Sequence, residues 1–389
     1  MIKVLICDGD GTLQLPSVSD EMVRFVEWLR SKDIKLVVAS NSTKSEVMSR
    51  FSSSALTAPN LIVTPSDVGA RKPSPDFVES ITDHYNVERN EVAYLGDNTK
   101  TDMLCAVNGK VLPLAAEYSD DARNIKYGLP IYNVEGLIRY FNLMATQGEP
   151  YFGWKIRKNI FLGLDVNVSA LIGQHSKFTN DLKIVLKEGK DVKHNHKNYS
   201  LRTLLSYYLI TQCFLSGLVH QADIITVYPG HRKDETNPTM EYFCNILRLI
   251  FRKKFIPNLI IRHRKAPQSK KQSNRDIRDQ LRTIHINPDY KEALKESTVM
   301  VFDDFTTSGR SFEAARLMLK QAKVSKVLSV AMAKYRLRHY IVETLDSWDP
   351  FRPFNIESLN IFDSEKYYGS SSPEPDDYFY KNIYKRFIV

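Results

Sequence analysis

The sequence predicts an α/β protein of two domains, each an open, mostly parallel sheet with flanking helices. Three observations carry that expectation. At 389 residues the chain is too long for one ordinary core. Short apolar runs alternate with amphipathic helical stretches over residues 1–113, and again from about 160 to 335; such alternation implies parallel strands joined by crossovers. Between the two blocks, Gly148-Glu149-Pro150 reads as a boundary. The domains are therefore expected at 1–148 and 149–389.

In the first block the runs Lys3–Cys7, Ile34–Ala39, Leu61–Thr64, Val92–Leu95 and Val111–Leu114 are expected as strands. Asp20–Ser31, Ser45–Phe51, Pro75–Tyr85 and Thr101–Asn108 read as the helices between them. In the second block Ile224–Tyr228, Leu259–Ile261, Val299–Phe302 and Val327–Ala333 are the strand candidates, and Phe312–Ala322 is helical. The Lys/Arg-rich stretch Arg262–Arg282 is expected as an exposed loop or flap. His194-Asn195-His196 reads as an exposed turn, and the tail after Asp346 has no clear period. Its aromatic residues (Tyr367, Tyr368, Tyr378, Tyr380, Tyr384) are expected to pack across the fold.

With 43% hydrophobic and 25% charged residues the composition is that of a globular protein. There is no run of about 18 apolar residues, so no membrane span is expected. The first residues lack a signal peptide's cleavage region. The four cysteines (Cys7, Cys105, Cys213, Cys244) form no CxxC pair, and are expected as buried thiols of a cytoplasmic protein. Charge is uneven. Residues 1–145 hold 15 Lys+Arg against 19 Asp+Glu, and the remainder 39 against 26, a balance of +13 that suits an anionic ligand or merely a basic surface.

The first chemical signal is Asp8-Gly9-Asp10-Gly11-Thr12, flush with the end of the first apolar run. Aspartates beyond the strand ends of an open α/β sheet can hold a hard cation such as Mg²⁺ and leave one carboxylate oxygen free to attack an electrophile. Ser40-Asn41 ends a second strand, Arg71-Lys72-Pro73 supplies an ammonium before a helix, and Gly96-Asp97-Asn98-Thr99-Lys100-Thr101-Asp102 adds two more acids after another strand. Alone, the first stretch could be only a tight turn. Together, in this order over about residues 1–115, the four are similar to the motifs of the haloacid dehalogenase (HAD) superfamily of phosphohydrolases. That resemblance implies a Rossmann-like fold in which Asp8 is the nucleophile and Asp10 the general acid and base. It implies that Ser40 binds the phosphoryl oxygens and Lys72 offsets their charge. Mg²⁺ would be held by Asp8, the Asp10 carbonyl and Asp97, with Asp102 supporting them. Only 30 residues separate Asp10 from Ser40 and 32 separate Ser40 from Lys72, which leaves no room for the cap domain common in that superfamily.

The second signal is Asp303-Asp304-Phe305-Thr306-Thr307-Ser308-Gly309-Arg310-Ser311, after the run Val299–Phe302 and before a helix. A small-residue loop entering a helix offers backbone N–H groups to a phosphate, and adjacent acids can accept from a sugar diol. The stretch looks like the phosphoribosyl pyrophosphate (PRPP) motif of type I phosphoribosyltransferases. By that resemblance Asp303 and Asp304 hold ribose hydroxyls, and Thr306, Thr307, Ser308, Gly309, Arg310 and Ser311 surround the 5-phosphate. Residues 175–335 further resemble the ComF-like branch, with departures: no zinc ribbon precedes them, the usual Pro-Val-Pro reads Val227-Tyr228-Pro229, and the usual Gln-x-x-Leu reads Gln268 to Lys271. A pyrophosphate loop is expected near Pro229–Lys233 with Asn237 as helper. Lys187, Arg232, Lys233, Arg262, Arg264 and Lys265 are the cations that could meet it, although each also reads as a surface charge.

Together the two resemblances imply a bifunctional enzyme: Mg²⁺-dependent phosphoribosyl transfer from PRPP to a base or amine, then removal of the product's 5′-phosphate through an aspartyl phosphate. Two alternatives stay open, a nucleotide-degrading defence or stress effector, and a PRPP- or nucleic-acid-sensing module that gates a phosphatase. The expected partners are PRPP and a phosphorylated nucleotide-like substrate, with no membrane, and nucleic acid is not favoured. The oligomeric state is left open, a dimer among the options.

Overall fold

The computed structural model describes residues 1–119, 125–146, 154–156, 160–165, 176–190, 200–266, 276–334, 339–367 and 383. The chain divides into two compact units. Unit 1 comprises Met1–Gly148 with Thr211–Gly217 and Leu249–Arg252, and unit 2 comprises Glu149–Ile210, Leu218–Arg248 and Lys253–Val389.

Unit 1 is built on six parallel strands: β1 (Val4–Cys7), β2 (Lys35–Ala39), β3 (Leu61–Val63), β4 (Val92–Gly96), β5 (Leu112–Ala116) and β6 (Leu129–Ile131). Their order is β3-β2-β1-β4-β5-β6. Residues of β1 and β4 are buried throughout, as expected of parallel strands covered on both faces. After α1 (Asp10–Leu13), helix α2 (Asp20–Ser31) starts at Ser19, whose side chain accepts from the Met22 amide at 3.3 Å. It buries Met22, Phe25, Val26 and Leu29, an i, i+3, i+4, i+7 stripe. Helix α3 (Lys44–Ser52) opens with a capping box between Thr43 and Glu46. On one face of the sheet Ile6, Val37 and Tyr94 pack with Phe77, Val78 and Ile81 of α5 (Asp76–Tyr85).

The strand positions follow the apolar runs, with differences at their ends. β6 has no counterpart among those runs, being three residues long with Pro130 inside. The helix expected over Thr101–Asn108 starts earlier. A π-type turn covers Thr99–Met103, capped by the Asn98 side chain accepting from the Lys100 and Thr101 amides, and α6 (Leu104–Gly109) continues it. Between Asp10 and Lys72 the chain holds only α1, α2, β2, α3, β3 and α4 (Pro65–Val68), so no folded insert covers the strand ends there.

Unit 2 has a second six-stranded sheet, ordered β10-β9-β13-β14-β8-β7. Its strands are β7 (Trp154–Ile156), β8 (Ile160–Asp165), β9 (Ile224–Val227), β10 (Lys254–Phe255), β13 (Thr298–Thr306) and β14 (Lys326–Lys334). All neighbours are parallel except β7 with β8. The run Leu259–Ile261 does not join this sheet. It forms β11 (Ile260–Arg262), paired antiparallel with β12 (Ile284–Ile286) in a separate ribbon. The Arg262–Arg282 stretch is likewise not wholly an exposed loop, because Arg262 ends β11 and is buried, and a helical turn spans Arg278–Leu281. The tail after Asp346 also gains regular structure, since β16 (Ile361–Tyr367) pairs antiparallel with β15 (His339–Thr344). His194-Asn195-His196, Gln268 to Lys271 and Tyr368, Tyr378, Tyr380 and Tyr384 lie outside the described residues.

Candidate active site

The order of the first sheet places β1 between β2 and β4, where the chain's progression reverses. In open α/β sheets ligands bind beyond the carboxyl ends of strands at such a point. Asp8 follows β1 and extends its ladder, its amide donating to the Leu95 carbonyl at 3.1 Å. Ser40 follows β2 and is buried, with its Oγ accepting from the Ser42 amide at 3.1 Å. Asp97 follows β4.

Lys72 follows β3 and α4 in the chain. Its amide donates to Asn41 Oδ1 at 2.8 Å, and Asn41 Nδ2 donates back to the Lys72 carbonyl at 3.4 Å. Asn41 thus fixes the backbone that aims the ammonium. Lys72 Nζ donates to Asp8 Oδ1 at 2.6 Å and Asp102 Oδ1 at 2.7 Å. Carboxylate oxygens of Asp8, Asp97 and Asp102 all lie within 4.8 Å of one another. Three acids against one ammonium leave two formal negative charges, and hard oxygen donors in that number suit a divalent cation such as Mg²⁺. Burial drives the Asp102 carboxyl upward; Lys72 opposes this and Asp8 adds to it, leaving it at about 6. Burial alone would lower the Lys72 pKa, but Asp102 and Asp8 outweigh it and raise it.

The glycines have a steric reason. A Cβ on Gly11 would lie 2.0 Å from Asp97 Oδ2 and 2.4 Å from Ser119 Oγ, and one on Gly96 would lie 2.3 Å from the Asp102 Cβ. Ser119 itself donates to Asp97 Oδ2 at 2.6 Å. Asp10 lies apart from the acid cluster. Its amide donates to Asp8 Oδ2 at 3.2 Å, but its carboxylate turns outward and pairs with Arg50 Nη1 of α3. Of the metal positions expected from sequence, Asp8, Asp97 and Asp102 come together and the Asp10 side chain does not. The Asp10 carbonyl accepts from the amides of both Gln14 and Leu15, the latter at 3.1 Å, so it would release one of them to reach a metal. Sequence reasoning missed Arg50, Ser119 and the tie made by Asn41. Arg50 sits on the helix that follows the Ser40-Asn41 strand end, and a cation there is the one signal that could have marked it.

In unit 2 a cavity of about 640 Å³ opens beside β9 and β13. It gathers Asp303, Asp304 and the loop Thr306–Ser311 with Pro229, Gly230, His231 and Asn237. The two acids stand on β13 itself, not in a loop after it, because pairing with β14 continues through Asp303↔Ala331 to Thr306↔Lys334. Burial, and for Asp303 the neighbouring Asp304, raises both carboxyls above the ordinary range. Gly309, at φ +79°, caps the helix Arg310–Gln321, and the His339 ring lies where its Cβ would project, 1.9 Å from Cε1. Ser308 O accepts from the Tyr340 amide at 3.0 Å, so β15 braces the loop. Among the expected cations Lys187 and Arg262 line this cavity, while Arg232, Lys233, Arg264 and Lys265 do not. Arg262 is no surface charge. It is 2% exposed and donates to Gly230 O, to Thr283 Oγ1 at 2.5 Å and to Gln280 Oε1 at 3.3 Å.

Residues 10–116 match the family described as haloacid dehalogenase-like hydrolase. The N-terminal unit therefore carries a HAD-like hydrolase domain. No curated protein matches the chain. Among solved structures it is similar to a HAD phosphatase from Thermococcus onnurineus, with 21% identity, TM-score 0.26, and 31% of this chain and 56% of that one covered. A HAD-superfamily hydrolase from Ehrlichia chaffeensis gives 22% identity, TM-score 0.27 and coverage of 32% and 57%. An uncharacterized protein from Listeria monocytogenes serotype 4b gives 12% identity, TM-score 0.31 and coverage of 36% and 98%. The chain spans 49% to 57% of the length of the first structures it matches. No helix among the described residues is long and apolar enough to cross a membrane, and the four cysteines are buried and not joined in disulfides.

Proposed function

We propose that unit 1 is a phosphomonoesterase working through an aspartyl phosphate, and that unit 2 is a phosphoribosyltransferase-like domain for ribose 5-phosphate compounds, PRPP among them. The observation that carries the first half is the meeting of Asp8, Lys72, Asp97 and Asp102 beyond β1 and β4. An Asp8 oxygen attacks phosphorus, the bond to the leaving oxygen breaks, and Asp10 gives that oxygen a proton. Water then attacks the aspartyl phosphate, Asp10 takes its proton, and inorganic phosphate leaves with the Asp8 carboxylate restored. Lys72 neutralises charge between nucleophile and phosphoryl group, and the Ser40 hydroxyl donates to a phosphoryl oxygen. Asp8, Asp97 and the Asp10 carbonyl, supported by Asp102, would hold Mg²⁺, which when bound supplies further positive charge at the phosphoryl oxygens.

The second half is supported by the cavity that gathers Asp303 and Asp304 with a loop and helix start able to receive a phosphate. Buried acids with raised pKa values gain most from hydroxyl donors, which a ribose diol provides. Transfer at this site followed by dephosphorylation would make the sequence irreversible. Incubation of the protein with Mg²⁺, PRPP and a panel of bases tests the joined reading. Asp8→Asn should accumulate a 5′-phosphorylated product, and Asp303→Asn with Asp304→Asn should stop ribosylation. If Asp8→Asn yields the same final product as the wild type, the coupling is wrong.

A further inference from the structure

We propose that Arg50 makes unit 1 selective for phosphomonoesters whose leaving group carries a second negative charge. The inference rests on the phosphatase reading above and adds the substrate class. Asp10 is the residue that must reach the leaving oxygen, and Arg50 Nη1 holds its Oδ1 from 40 positions away. The Asp10 side chain is 57% exposed against 19% for Asp8, so this contact is on the open, leaving-group side of the site. Lys72 is turned the other way, with Nζ on Asp8 and Asp102.

Arg50 is held in place by its helix. The Thr43–Glu46 capping box fixes the start of α3, and buried Val47 and Phe51 seat it, which leaves Arg50 half-buried in the last turn. No folded insert lies over this side between Asp10 and Lys72. A guanidinium presents five N–H donors in a fork suited to carboxylate or phosphate. An ester oxygen bonded to Asp10 therefore sits within two hydrogen-bond lengths, about 6 Å, of the guanidinium. An anionic group at that distance along the leaving group competes with Asp10 for Arg50, binds there, and leaves the Asp10 carboxyl facing the ester oxygen. A neutral leaving group has nothing to exchange for the pair, and Asp10 stays tied to α3.

Two small substrates of similar size separate the cases: 3-phosphoglycerate, with a carboxylate near the ester, and glycerol 3-phosphate, without one. Steady-state kinetics on the full chain with Mg²⁺ should give a kcat/KM at least about tenfold higher for 3-phosphoglycerate, one charge-assisted contact's worth. Arg50→Met should raise KM for 3-phosphoglycerate about tenfold and raise kcat for glycerol 3-phosphate, collapsing the preference. Arg50→Lys should restore part of it. Equal effects of Arg50→Met on both substrates, or no preference in the wild type, would overturn the proposal. Turnover of p-nitrophenyl phosphate by the wild type separates that failure from failure of the phosphatase reading, because a chain that leaves all three esters intact removes both.

Discussion

Lys72 and Asp8 meet at 2.6 Å across 64 positions of sequence, and the same ammonium reaches Asp102 at 2.7 Å. Both contacts sit where β1, β2 and β4 end side by side, so one buried cation links the nucleophile candidate to the acid cluster.

Lys72→Met should lower kcat on p-nitrophenyl phosphate by about 10²–10³-fold, the scale of losing one positioned charge-stabilising donor. It should also destabilise the metal-free fold by about 3–5 kcal/mol, because removing one partner strands a buried carboxylate. Thermal unfolding with and without Mg²⁺ reads the second effect, and added Mg²⁺ should recover part of it. A variant with kcat within threefold of the wild type would remove Lys72 from the reaction.

The Asp102 carboxyl is raised from 3.8 to about 6, first by burial. A group whose folded pKa is raised contributes stability that is full below its unfolded value and is lost as pH rises through the folded one. In the absence of metal the Asp102 contribution should therefore fall between about pH 4 and 6. Mg²⁺ needs the ionised form, so its affinity should weaken below pH 6 by up to about tenfold per unit. Calorimetric titration with Mg²⁺ at pH 5, 6 and 7 measures this. Asp102→Asn should flatten the dependence, and an unchanged slope in that variant would assign it elsewhere.

Gly11→Ala should lose Mg²⁺ binding while the sheet still folds. Its Cβ would lie 2.0 Å from Asp97 Oδ2, which displaces the carboxylate rather than the backbone. Metal titration alongside far-ultraviolet circular dichroism separates the two outcomes. Normal Mg²⁺ affinity would mean that Asp97 is not needed where it now stands.

Much of this site is legible because its parts are local. An apolar run that stops at Asp8, and another that stops at Ser40, already say that polar groups stand at strand ends. What local pattern cannot carry is pairing. Asp303 and Asp304 read as residues beyond a strand, yet β14 extends β13 through them. The β15–β16 hairpin joins segments with the polar stretch from Asp346 between them, and only tertiary pairing defines β16. β6 is too short for its period to register. Arg50 is partly of this kind: its helix follows the Ser40-Asn41 strand end, but its reach to Asp10, 40 positions away, is set by tertiary structure.

In unit 2, Gly309→Ala should weaken binding of ribose 5-phosphate and of inorganic phosphate alike. The substitution strains a residue at φ +79° and drives a methyl group into the His339 ring. Asp303→Asn with Asp304→Asn should instead weaken ribose 5-phosphate while sparing inorganic phosphate. Calorimetry with both ligands distinguishes loss of a phosphate cradle from loss of the diol partners. If the double variant binds ribose 5-phosphate as the wild type does, the acids do not hold the sugar.

Arg262 is the residue for which sequence and structure differ most, and its partners decide the prediction. A pyrophosphate-binding arginine would hold its guanidinium open to the ligand. Here Nε, Nη1 and Nη2 are directed at Gly230 O, Thr283 Oγ1 and Gln280 Oε1, and the group lies 5.6 Å from the centre of the Tyr228 ring. Tyr228 in turn donates to Gln280 at 2.9 Å, so the arginine ties the end of β9 to the β11–β12 ribbon. Arg262→Met should therefore lower the unfolding temperature of unit 2, because Gly230 O and the buried Thr283 Oγ1 lose their donor, at about 1–3 kcal/mol for the buried one, while Gln280 Oε1 keeps Tyr228. Arg262→Lys should rescue little, since one ammonium cannot span the three acceptors. Thermal unfolding of the two variants checks this. Wild-type stability with weakened pyrophosphate binding would return Arg262 to the role its position in the sequence suggested.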